Sequence, residues 1–131
     1  MSIKRFVTIV LLASAMLAFS GSALWAHHSV AGYDTQKVIT IRGVVKEFNW
    51  RNPHVYIVWD AKDEAGKVVE WAGELSSPST MIQLGMNRTS LKPGDEVLIS
   101  LHPSKTTNPL GVIQKITMAD GKIVVDKVMP Q

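Results

Sequence analysis

The chain has 131 residues, 46% of them hydrophobic, with four histidines, six methionines and no cysteine. A disulfide framework, a thiol nucleophile and a thiolate metal site are therefore excluded, and the expected side-chain metal ligands narrow to His, Asp, Glu and Met. The net charge is +3, but with Lys4 and Arg5 set aside 12 basic side chains face 11 acidic ones, too even a balance for a nucleic-acid binder or for attraction to an anionic membrane.

Lys4 and Arg5, the apolar stretch from Phe6 to Phe19 and the small-residue end Gly21-Ser22-Ala23-Leu24-Trp25-Ala26 have the layout of a secretory signal peptide. The apolar run is too short to span a membrane, and no stop-transfer charge follows it. Cleavage after Ala26 exposes His27 as a new N-terminus; cleavage after Ala23 is the competitor and leaves three residues ahead of it. The predicted organisation is a signal peptide over 1–26, an arm over 27–37 and one β-domain over 38–131, exported to the periplasm with no membrane span in the mature chain.

From Val38 the pattern is strand-like. Val38 to Trp50 is β-rich and interrupted by Gly43, where a bulge or tight bend is expected. Arg51-Asn52-Pro53 signals a turn. His54 to Asp60 alternates, with Val55, Ile57 and Trp59 on one face and His54, Tyr56 and Val58 on the other. Asp63 to Lys67 reads as a hairpin loop, and Val68 to Leu75 as a third strand with Val69, Trp71, Gly73 and Leu75 facing together.

A short helix follows: Ser77 caps it, Pro78 suits its first turn, Met81, Ile82 and Leu84 anchor it, and Gly85 ends it. Lys92-Pro93-Gly94-Asp95 is a turn before the strand Glu96 to His102. A polar loop, Pro103 to Pro109, leads to the strand Gly111 to Met118. Asp120-Gly121 then gives a two-residue hairpin signal before Ile123 to Asp126. Three strands, a helix, then two or three strands, with a long first strand broken by glycine, predict an all-β, OB-like barrel of five to six strands. An open sandwich is the alternative.

The chemistry-bearing residues start with His27 and His28. A terminal amine and an imidazole on one residue form a bidentate chelate suited to copper or zinc, binding only while the ring is neutral; an exposed terminus without function is the plain alternative. His54, at the mouth of the first hairpin, is the expected third nitrogen, and Trp50, Asn52 and Tyr56 beside it are the expected ligand or partner contacts. His102 is expected to face solvent, Met81, Met86, Met118 and Met129 to serve as core filler, and Trp59 and Trp71 to be core. Glu70 and Glu74 read as a solvated strand face, too far apart for coupled acid–base work. No phosphate-cradling loop, nucleophile elbow or Ser-His-Asp set is present.

The His27-His28-Ser29 start, Phe48-Asn49-Trp50-Arg51-Asn52-Pro53-His54, Trp71, Ser77-Pro78 and the Leu91 to Asp95 turn resemble a bacterial group of small exported proteins of unknown function. The resemblance covers essentially the whole mature chain and implies an envelope protein of this size. It carries no activity and assigns no residue a role.

The leading expectation is a non-enzymatic periplasmic binding domain, with copper (or zinc) held by the His27 amine and ring, His54 completing the site and His28 assisting. The second is a metal-free module whose Trp50 to Tyr56 mouth takes a small molecule, peptide or envelope protein partner. A third is an oxidative copper enzyme built on a terminal histidine brace, for which the short chain offers no obvious substrate cleft.

Overall fold

A computed structural model describes residues 31–127. The leader, its cleavage site, His27, His28 and Met129 lie outside them. The described chain contains β1 (Ile39–Asn49), β2 (Tyr56–Lys62), β3 (Val68–Glu74), α1 (Pro78–Gln83), β4 (Glu96–Pro103), β5 (Leu110–Met118) and β6 (Ile123–Asp126). The strand order is β3-β2-β1-β4-β5-β6, and a further parallel pairing of β3 with β5 closes the first five strands into a barrel. This is the OB-like topology, with the helix between the third and fourth strands and β6 added to the outside of β5.

Alternation builds the core. Val45, Val55, Ile57, Trp59, Val97, Ile99, Leu101, Ile113 and Ile116 point inward and are buried. On β1 the inward side is carried by Ile39, Ile41, Gly43 and Val45, but a bulge between Val45 and Glu47 inserts one extra residue and switches parity. Phe48 and Trp50 thereby turn toward the core. The bulge expected at Gly43 thus sits three residues later.

Gly43 serves a different purpose. A Cβ there would stand 2.6 Å from Trp59 Cδ1 and 2.4 Å from the Asp60 carbonyl oxygen. Gly43 makes room for the largest buried side chain of the barrel. Trp71 stacks on Trp59 with centroids 6.1 Å apart. The closing seam follows the same logic: Gly73 and Gly111 are register partners across β3 and β5. A Cβ on Gly73 would lie 2.6 Å from Ile113 Cδ1, and one on Gly111 would lie 2.4 Å from Leu101 Cδ1.

α1 is a single short stretch held at both ends. The Ser77 hydroxyl accepts from the Thr80 amide at 3.3 Å. At the other end Gly85, at φ +86, lets its amide reach the Ile82 carbonyl while the Met86 amide reaches Met81. This is a Schellman arrangement, and its usual apolar contact is supplied by buried Met81 and Met86. Ile82, expected as an anchor, is 61% exposed, because six helical residues bury only one narrow stripe.

The Asp120-Gly121 hairpin is also wider than expected. Met118 and Lys122 close the loop through an amide–carbonyl bond of 2.8 Å, the Gly121 amide returns to Met118, and Gly121 takes φ +90. The loop is thus three residues long, a turn followed by a left-handed glycine.

Candidate functional site

The β2–β3 ladder runs beyond its strands. The Val55 amide donates to the Ser76 carbonyl at 3.0 Å and the Leu75 amide to the Val55 carbonyl at 2.8 Å. This pins the end of the first hairpin loop, so His54 and Tyr56 share the outer face with Glu74, the cross-strand partner of Tyr56. The parallel seam then brings the start of β5 beside Glu74, and a pocket of about 320 Å³ forms between the loop, β3 and β5. Arg51, Asn52, His54, Tyr56 and Glu74 line it, over a floor that includes Gly73 and Leu110.

One further wall comes from the arm. Tyr33 pairs with Ser104 in an isolated antiparallel bridge, and the Asp34 amide donates to the Pro103 carbonyl at 2.8 Å. His102 Nδ1 meets the Lys37 carbonyl oxygen at 2.8 Å. A carbonyl only accepts, so this nitrogen carries the hydrogen. His102, expected to face solvent, is half-buried and fastens the arm to β4. The result is that Tyr33 also lines the pocket.

Glu74 is the electrostatic centre of the site. Its Oε1 is hydrogen-bonded to His54 Nδ1. A carboxylate accepts, so Nδ1 donates and Nε2 is the ring nitrogen left for a ligand. Burial raises the Tyr33 phenol above its usual pKa, and the Glu74 charge raises it further. Burial lowers the Lys127 pKa, and Glu74 opposes that shift. Arg51 lies over the Tyr56 ring at 4.8 Å from its centroid.

Of the expected contacts, Asn52, His54 and Tyr56 come together. Trp50 does not join them: it packs edge-on against Phe48 at 5.9 Å, because the parity switch in β1 directs it inward. Met81 and Met86 are buried core and Met118 is half-buried. Glu70 is exposed and paired with Lys46, whose pKa is raised by Glu70 first and also by Asp60 and Glu47. Tyr33 was not marked by the sequence, and Glu74, expected on a solvated face, is half-buried against His54. Both arrive through long-range pairing, and only the placement of Glu74 opposite Tyr56 in a β2–β3 ladder would have hinted at it. Among the described residues no three of His, Cys, Asp and Glu converge as a metal cluster. No described helix is long and apolar enough to cross a membrane.

The fold and site define a small closed β-barrel of OB topology with a pocket at the mouth of its first hairpin. No curated protein and no solved structure matches the chain. The chain belongs to a family of unknown function, DUF6152, whose model matches residues 14–114.

Proposed function

We propose that this protein is a non-enzymatic binding module of the bacterial envelope, exported by its leader, which holds copper (or zinc) at the hairpin-mouth pocket. The His27 amine and ring form the chelate, His54 completes it through Nε2, and His28 assists. The observation that carries this reading is Tyr33, an arm residue that lines the same pocket as His54. His27 stands six positions earlier, a stretch that covers up to about 20 Å when extended. A second support is the Glu74–His54 pair, since a carboxylate holding one ring nitrogen fixes the tautomer and leaves the other for a metal. The paired histidines and the Trp50 to His54 segment are, in this reading, the marks of the exported group.

The test is copper titration of the exported protein beside His54→Ala, Glu74→Gln and a form with one extra N-terminal residue. Each change weakens binding by about 10- to 100-fold. Equal affinity in all four removes the chelate. It favours a metal-free module, for which Arg51 over Tyr56 and the apolar floor offer contacts to a small molecule, peptide or envelope protein.

A further inference from the structure

The chain contains two tyrosines, and both line the pocket that holds His54 and Glu74. A phenol oxygen is a further metal ligand beside those of His, Asp, Glu and Met. Tyr56 and Glu74 are direct cross-strand partners, so their Cβ atoms stand about 5 Å apart on one face. Tyr33 is close enough to Glu74 to feel its charge, and Glu74 touches His54. Arg51 packs on the Tyr56 ring. Two tyrosines, a carboxylate and an imidazole thus line one open cavity.

We infer that this pocket takes a hard trivalent cation of the ferric class, held by Tyr33, Tyr56, Glu74 and His54. Resting on the reading of the pocket as a metal site, this donor set needs none of the terminal residues. Ligand hardness sets the choice, since oxygen anions suit hard cations and soft ones prefer sulfur. Charge sets it more sharply. Two phenolates and a carboxylate carry three negative charges, which balance a 3+ ion and overcompensate a 2+ ion. Uptake releases both phenol protons to solvent. His54 would bind through Nε2, with Nδ1 still donating to Glu74. A cavity of about 320 Å³ leaves room for water or a small anion to complete the coordination sphere.

The probe is ferric nitrilotriacetate, titrated into the full mature protein while visible phenolate-to-iron charge-transfer absorption is recorded. The expected result is a band that saturates at one equivalent, weakens in Tyr33→Phe, Tyr56→Phe and Glu74→Gln, and is lost in the double phenylalanine variant. Circular dichroism of each variant reports the fold, and phenylalanine keeps the ring packing. An extra N-terminal residue leaves the band intact while it weakens copper, so a copper affinity that this extra residue does not change sinks only the terminal chelate. Absence of the band in the native protein, or its survival in a folded double variant, overturns the ferric site.

Discussion

The closing seam is the place to test the packing logic, through Gly73→Ala. The added methyl would stand 2.6 Å from Ile113 Cδ1 and Cγ1 and 3.1 Å from Trp59 Cζ3, so neighbours in a filled core must move. Overpacking of this kind costs about 1–3 kcal/mol. Against it, alanine stiffens the unfolded chain, which stabilises by about 0.4–1 kcal/mol. At mid-range a net loss of about 1.3 kcal/mol remains, and each kcal/mol lowers Tm by about 4–8 °C in a domain of this size. Urea and thermal unfolding followed by tryptophan fluorescence measure it. Ile113→Val removes one colliding atom and by itself costs about 0.5–1.5 kcal/mol. The double variant should lose less than the two single losses together, because the two sites touch. A Gly73→Ala protein as stable as the original, or strict additivity with Ile113→Val, would refute the steric account.

Three other outcomes follow from features of the barrel. Lys127→Met should raise Tm at neutral pH, because burial disfavours the charged amine and lowers its pKa. The penalty is present while the lysine is charged and is relieved as pH rises from its lowered pKa toward 10.5, so the gain shrinks over that range in a pH series of melts. His102→Ala removes the bond to Lys37, costs about 0.5–1.5 kcal/mol, and should speed hydrogen exchange at the Asp34 amide more than in the β4 ladder. Ile82→Lys should change stability by less than about 0.5 kcal/mol, whereas Met81→Ala should cost about 2–5 kcal/mol, as denaturant midpoints will report.

Most of the barrel was readable because its strands alternate cleanly. Val55, Ile57 and Trp59 declared the inner face of β2, and the turn residues between runs separated the elements. Gly43 announced an irregularity but not its cause, since the indole it accommodates lies on a neighbouring strand. Trp50 looked like a contact residue beside Asn52 and His54. One inserted residue, at Lys46, reverses the side on which it falls, and nothing local to β1 marks that insertion. Within the site, His54, Asn52 and Tyr56 were legible from the hairpin mouth. Glu74 and Tyr33 were not, because one is placed by strand register and the other by a hydrogen-bonded arm.

The seam under the pocket consists of three residue pairs, Ala72–Leu110, Gly73–Gly111 and Glu74–Val112. Any guest that touches Glu74 and Leu110 together, both of which line the pocket, acts as a rivet across the shortest zipper of the barrel. By mass action, a guest at one hundred times its Kd adds about 2.7 kcal/mol to the folded state. Heating the protein against a panel of ions and small molecules would therefore single out its natural cargo by the rise in melting temperature, with no assay for activity required.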